Sequence, residues 1–244
     1  MDPDRRSAVL TGTFFIVGSV GGAAGLGVAL APLLGATDYL GAYGTMETRV
    51  LIASLFYLLM GVSLVAMSVA VYPVLRKFSP SAAIAYFGAR VLEAVIYILT
   101  VISMLALVEL GTEYVKAGAA GAARFQPLGA VLLGVSEWAG HVVLDVAIFP
   151  LGALVLYWVF FRTRLVPRWL SGWGLSGAVL YWAAGVLVMF HVIVPMQTPH
   201  IMLQAPLALQ EMVLGFWLIA KGFSAPGRHL RGVVSRDPPD RCSP

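Results

Sequence analysis

The stretch LGAVLLGVSEWAGHVVLDVAIFPLGALVLYWVFF, residues 128–161, decides the fold of this chain. It carries only two formal charges, those of Glu137 and Asp145. A helix needs about 20 apolar residues to cross about 30 Å of hydrocarbon, so this stretch is long enough to span a bilayer. Pro150 lies in its interior and predicts a kink or a break there.

The rest of the chain has the same character. Of its 244 residues, 59% are hydrophobic and 11% charged, and the mean hydropathy is +0.87, whereas soluble chains are about 25% charged. We therefore predict an all-α polytopic membrane helix bundle in one domain, residues 1–223, followed by a disordered cytoplasmic tail, residues 224–244. The predicted spans are residues 8–34, 50–75, 81–110, 128–161, 170–195 and 201–223.

Basic residues predict how the bundle is oriented. With six crossings, twelve of the 16 lysines and arginines fall on the side of the two termini. Only Arg49, Lys116 and Arg124 fall on the opposite side, and Arg90 lies within a span. The positive-inside rule then places both termini in the cytoplasm of a bacterial inner membrane. The pI near 9.4 follows from this bias, and we expect membrane lipids rather than nucleic acid as partners.

Four acids lie inside predicted spans and are candidate catalytic residues: Glu93, Glu137, Asp145 and Glu211. A charged side chain at the bilayer centre costs roughly 2.5 to 3.5 kcal/mol on insertion scales. Burial favours the neutral carboxyl group, so we expect some of these acids to be protonated. Glu93, Asp145 and Glu211 fall near mid-membrane, and all four acids are expected to share a cavity.

Spacing adds detail to two of these helices. Glu137, His141 and Asp145 follow at i, i+4 and i+8, which places them on one helical face that we expect to face a central cavity. The alternative is a polar stripe that holds helices together. Arg90 and Glu93 are spaced i, i+3, close enough to form an ion pair within one helix.

Several short motifs resemble one known family. They are Tyr72-Pro73, Arg90 with Glu93, LVPRWL at 165–170, Trp173-Gly174, LQEM at 209–212, Trp217 and KGF at 221–223. Together they resemble the bacterial six-helix integral-membrane family designated domain of unknown function 4386. The resemblance covers most of residues 6–223 and implies the fold, but it implies no activity.

A weaker analogy concerns actinobacterial transmembrane terpene cyclases that fold a prenyl chain on an indole or diketopiperazine. Protonation-initiated cyclisation needs a neutral acid, a base, aromatic walls and a dry pocket. The analogy implies Asp145 or Glu137 as the acid, Glu93 or Glu211 as the base, and a lipophilic substrate without cofactor or metal. The predicted substrate-binding residues are His141, Arg90, Trp138, Tyr97, Phe149, Tyr181 and Trp182.

A proton-coupled small-molecule transporter or a membrane sensor would use the same acids. Those of the third and sixth spans are then pseudo-equivalent members of two three-helix halves. A haem site is not expected, because His191 and His200 are predicted at the extracytoplasmic edge while His141 lies deeper. A zinc site built from His191, His200 and a glutamate is not expected either, because these residues lack the spacing of zinc ligands and His200 is predicted in a loop after Pro199. Cys242 is the only cysteine and lies in the tail, which excludes an intrachain disulfide. The oligomeric state is left open.

Overall fold

The structure is a computed structural model that describes residues 2–34 and 36–224. The described part of the chain is helical and contains no strand, so the predicted all-α class is confirmed. The predicted tail and Cys242 lie outside the described residues, apart from Ser224. The helices are α1 (Pro3–Ala24), α2 (Ala31–Leu34), α3 (Tyr39–Thr45), α4 (Glu47–Leu75), α5 (Pro80–Gly121), α6 (Gln126–Trp138), α7 (Phe149–Thr163), α8 (Arg168–Met189) and α9 (Thr198–Ala220).

Six helical segments are long and apolar enough to cross a membrane, as predicted. They are Pro3–Gly27, Glu47–Leu75, Pro80–Gly118, Gln126–Thr163, Arg168–Met189 and Thr198–Ala220. The fifth ends six residues before the predicted Pro195, because the chain turns at Phe190 and His191 into the α8–α9 connection. The third continues past Leu110 to Gly118, whose positive φ of 60° interrupts the helix.

The six spans form a closed ring in chain order. Each packs against the next, and the first closes the ring against the last. Gly12 and Gly215 allow that closure, because a Cβ on Gly12 would lie 2.5 Å from the Gly215 carbonyl oxygen. Arg5 then donates from Nη2 to the carbonyl oxygen of Ile219 at 2.6 Å and so satisfies the end of α9.

The ring has two faces. We call the face where α1 begins and α9 ends the terminal face, and the other, which carries α3 and the α8–α9 connection, the distal face. The fourth span does not run as one α-helix. A π-helical segment, Ala139–Ile148, separates α6 from α7, and Pro150 lies in the first turn of α7. The chain thus stays helical but changes from π- to α-helical geometry next to Pro150, and the π segment widens the helix where the polar stripe lies.

Candidate functional site

A cavity of about 550 Å³ lies on the axis of the ring, lined by residues from all six spans. We call it the chamber. Its polar and larger lining residues are Tyr43, Tyr57, Met60, Tyr97, Thr100, Met104, Ser136, Glu137, His141, Asp145, Tyr181, Met196 and Gln204. The α8–α9 connection contributes Val194, Pro195 and Met196, so the chamber reaches the distal face. Neither connection of the terminal face, 76–79 or 164–167, contributes a lining residue.

The predicted stripe of the fourth span faces this chamber. Glu137, His141 and Asp145 all line it, and Asp145 is almost completely buried, with 1% of its surface exposed. Tyr181 donates its hydroxyl to Asp145 Oδ1, and Gln204 donates from Nε2 to Oδ2, both at 2.9 Å. Because Gln204 is six residues into α9, Asp145 lies roughly 9 Å below the distal end of that helix.

Close helix packing holds Asp145 in place. A Cβ on Gly185 of α8 would lie 2.7 Å from Asp145 Cβ and 3.1 Å from its carbonyl carbon. Only glycine lets α8 approach the π segment this closely. The same approach brings Tyr181, one turn away, within hydrogen-bond reach of the carboxylate.

His141 belongs to this cluster, as its spacing from Asp145 predicts, and His200 joins it contrary to the sequence analysis. His200 is not a loop residue: it is the third residue of α9 and is buried, since proline at position 199 belongs to the first helical turn. Its ring centroid lies 5.6 Å from that of His141, so the two rings are neighbours. His200 Nε2 lies 3.7 Å from Asp145 Oδ2.

His141, Asp145 and His200 each offer a ligand atom, and these atoms lie within 4.8 Å of one another. Two imidazoles and a carboxylate suit zinc and related metals. However, His200 Nδ1 accepts a hydrogen bond from the Met196 N–H at 3.3 Å, and its Nε2 lies 3.2 Å from the Gln204 amide nitrogen. A metal-bound histidine instead donates from its second nitrogen. The three residues therefore fit a hydrogen-bonding cluster better than a metal centre.

Tyrosines form much of the remaining wall. The rings of Tyr57 and Tyr97 stack with centroids 6.0 Å apart, and Tyr43 and Tyr181 also line the chamber. Burial, and to a lesser extent Tyr57 and Glu137, raise the pKa of Tyr43 to about 12, so its hydroxyl stays protonated. Sequence reasoning missed Tyr43 and Tyr57, which lie in segments without an acid to draw attention to them.

The other two acids lie elsewhere, so the expectation that all four share a cavity is wrong. Neither Glu93 nor Glu211 lines the chamber. Arg90 Nη1 donates to Glu93 Oε2 at 2.6 Å, which confirms the predicted ion pair, and both side chains are buried. Glu211 lies close enough to Arg90 to interact with it electrostatically. We call these three residues the charge layer.

Aromatic residues surround the charge layer. The Arg90 guanidinium lies over the rings of Tyr86 and Phe149, 5.1 and 5.3 Å from their centroids. Tyr97 belongs to both sites, because it lines the chamber and also lies next to Glu93. The charge layer thus lies directly behind the chamber wall.

The remaining predicted substrate contacts lie outside the chamber lining. Phe149 packs behind Tyr181 with ring centroids 4.5 Å apart. Trp182 is 45% exposed on the outside of the bundle. Trp138, 49% exposed, lines a smaller neighbouring pocket of about 190 Å³ together with Glu137, His141 and His191. Of the seven predicted substrate contacts, only His141, Tyr97 and Tyr181 line the chamber.

Six apolar spans arranged around a polar chamber define a multi-pass membrane helix bundle. The chain belongs to the family described as "Domain of unknown function (DUF4386)", whose model matches residues 10–222. That membership confirms the resemblance drawn from the sequence motifs. No curated protein and no solved structure matches the chain. The analogy to terpene cyclases gains no support from these comparisons.

Proposed function

We propose that the protein is a proton-coupled transporter and that the chamber is its substrate site. The observation that carries this proposal is the one-sided chamber. It reaches the distal face and contains a buried carboxylate, Asp145, at its wall. Toward the terminal face the bundle is closed by the charge layer and by a tightly packed apolar core that includes Leu75, Leu165 and Leu170.

A cavity that reaches only one face corresponds to one of the two states of a transporter, the state that is open to that side. Transporters built from two repeats hold the substrate near the middle of the membrane and open alternately to the two sides. The sequence-based alternative treated the acids of the third and sixth spans as pseudo-equivalent. Glu93 and Glu211 belong to those two spans, Glu93 is paired with Arg90, and Glu211 interacts with Arg90 electrostatically.

The charge layer offers a place for a proton. Two carboxylates, Glu93 and Glu211, face one guanidinium, so full ionisation leaves one uncompensated negative charge. A buried charge without a partner is costly, and a proton on Glu211 removes that cost. Asp145 offers a second position in the chamber. We propose that a proton moves between these acids as the bundle changes which side is open.

The distribution of basic residues predicts the side of the membrane to which the chamber opens. With both termini in the cytoplasm of a bacterial inner membrane, the distal face is extracytoplasmic. The chamber as described is then open outward.

Cysteine accessibility tests the proposal without knowledge of the substrate. In a Cys242→Ser background, Thr100→Cys places a thiol in the chamber wall. A membrane-impermeant thiol reagent is applied to one side of oriented vesicles at a time, with and without a pH gradient. We expect labelling from the distal side at rest, and from the terminal side once the gradient is imposed.

Two control positions report on sidedness. Ser81→Cys at the terminal face and Glu113→Cys at the distal face are exposed and should each react from one side only. Labelling of Thr100→Cys from the distal side under every condition, with both controls behaving as expected, refutes alternating access.

A second candidate is the terpene cyclase, which the four tyrosine rings of the chamber favour, since aromatic faces stabilise a carbocation. Asp145 or Glu137 would protonate the substrate. The predicted bases Glu93 and Glu211 lie outside the chamber, which makes this candidate the weaker one. Turnover of a farnesylated indole by the wild type, reduced about 10²- to 10⁴-fold in Asp145→Asn or Glu137→Gln, would establish it.

A further inference from the structure

We infer that the substrate of the chamber is a lipophilic organic cation, such as a protonated amine or a quaternary ammonium or phosphonium ion. This inference rests on the proposed function, because it names the substrate class of the same site. It follows from the charge, the aromatic surface and the size of the chamber.

The charge of the lining is negative. Glu137 and Asp145 both contribute to it, and among the residues that the structure describes no lysine or arginine does. The nearest buried cation, Arg90, is paired with Glu93. Asp145 receives hydrogen bonds from two neutral donors, Tyr181 and Gln204, which orient the carboxylate without cancelling its charge. A cationic substrate supplies the missing charge, while an anionic one meets only repulsion.

The surface beside Asp145 suits an apolar cation rather than a hydrated one. The stacked rings of Tyr57 and Tyr97, with Tyr43 and Tyr181, present aromatic faces. Such faces attract a cation through the negative charge density of each ring. Met60, Met104 and Met196 add adaptable apolar contact. Tyrosine rings with one carboxylate are the groups that recognise ammonium-type ions.

Size separates an organic cation from a metal ion. A chamber of about 550 Å³ falls within the range of roughly 300–1,000 Å³ that accommodates drug-sized ligands. A single metal ion would leave most of this volume unused. His200 Nδ1 also accepts a hydrogen bond from the Met196 N–H, whereas a metal-bound histidine donates from its second nitrogen, so this contact disfavours metal ligation there.

Asp145 can bind either the cationic substrate or a proton. Asp145 is surrounded by His141 on its own segment, by Tyr181 on α8, by Gln204 and His200 on α9, and by Glu93 and Tyr97 on α5. Because a proton and an organic cation each neutralise Asp145, they compete for it. The ionised carboxylate should therefore bind the substrate better than the protonated one.

Two ions of matched shape test the inference. Tetraphenylphosphonium and tetraphenylborate differ mainly in the sign of their charge. Binding of each to the purified full-length protein in nanodiscs is measured by calorimetry at several pH values. We expect saturable binding of the phosphonium, weaker at low pH, and no saturable binding of the borate. Equal binding of the two ions overturns the inference.

Variants locate the site. Asp145→Asn should weaken phosphonium binding about tenfold or more, as expected when a charged contact is lost. Glu113→Gln, at an exposed ion pair with Lys116 on the distal face, should leave it unchanged. Unaltered binding by Asp145→Asn refutes the inference.

If Asp145→Asn fails to fold, the variants Tyr57→Leu and Tyr57→Phe are used in its place. Loss of the ring should weaken binding roughly threefold more than loss of the hydroxyl alone, and equal affinities would contradict the cation site.

The two proposals fail separately. Phosphonium binding at Asp145 without Thr100→Cys labelling from the terminal side would retain the cation site and refute transport. Alternating accessibility without phosphonium binding would retain transport and refute the cation as its substrate.

Discussion

The chamber and the charge layer are neighbours, since Tyr97 lies next to both, and each contains carboxylates. The carboxylates of the two sites have different kinds of partner. In the charge layer, Glu93 is paired with an arginine three residues earlier on the same helix. In the chamber, Asp145 is held by neutral groups from two other helices and borders open volume. An intramembrane acid that has its own cation stabilises the fold. One that lacks a cation and faces a cavity is available to a ligand.

Removal of Arg90 should give the largest effect. Arg90→Met leaves the buried Glu93 and the half-buried Glu211 without their cation; breaking a buried ion pair in this way typically costs about 3–5 kcal/mol. We expect a large fall in the unfolding free energy, measured by chemical unfolding in detergent followed by tryptophan fluorescence. Addition of Glu93→Gln to Arg90→Met should recover part of the loss. The control, Lys116→Met at an exposed ion pair, should change little. If Arg90→Met lowered the unfolding free energy no more than Lys116→Met does, the charge layer would stabilise the fold no more than an exposed ion pair. The distinction between the two sites would then be lost.

Gly185→Ala should have the next largest effect and should act on the chamber. Its methyl group would overlap Asp145, so α8 must move away from the π segment. Overpacking of this kind costs about 1–3 kcal/mol, and we expect weaker phosphonium binding as well. Gly88→Ala is the matched control, since a Cβ there meets no atom within 4 Å. Unchanged stability and binding in Gly185→Ala would show that this contact does not position Asp145.

Tyr181→Phe removes one donor from Asp145 and keeps the ring contact with Phe149. The loss of a hydrogen bond of this kind costs about 1 kcal/mol. We expect a modest decrease in melting temperature. Tyr39→Phe, which removes an exposed bond of 3.4 Å to the Gln126 carbonyl, should produce a smaller decrease. The reverse order would argue against a structured carboxylate site.

Asp145→Asn should affect stability least. The Tyr181 hydroxyl and the Gln204 amide can exchange donor and acceptor roles around the new amide. We therefore expect a melting temperature within a few degrees of the wild type, together with lost proton coupling. Glu93→Gln, which leaves Arg90 short of a partner, should lower the melting temperature more. A larger drop in Asp145→Asn would mean that Asp145 is structural and that the comparison between the sites is wrong.

Sequence reasoning identified the spans because apolar length is recorded directly in the chain. It also found the Arg90–Glu93 pair, since both members lie on one helix and their spacing fixes their geometry. It placed Glu93 and Glu211 wrongly in the cavity because the rotation of each helix about its axis depends on neighbours far away in sequence.

His200 was misplaced for a local reason. A proline next to a polar residue is typical of a loop, whereas the proline at position 199 occupies the first turn of α9. Tyr43 and Tyr57 were missed because tyrosine in an apolar segment is common, and only the closed ring shows which of them face inward. Trp138 and Trp182 were selected as walls for their size, but they lie largely on the outside of the bundle.

The order of the ring also has a consequence for biogenesis. Glu93 enters the membrane on the same helix as its arginine, so it is neutralised as soon as that helix is inserted. Asp145 enters on the fourth span, but Tyr181 follows on the fifth and Gln204 only on the last. During synthesis the fourth helix therefore resides in the bilayer or the insertion machinery with an unsatisfied acid. The chamber is completed only when the final helix leaves the ribosome and closes against the first.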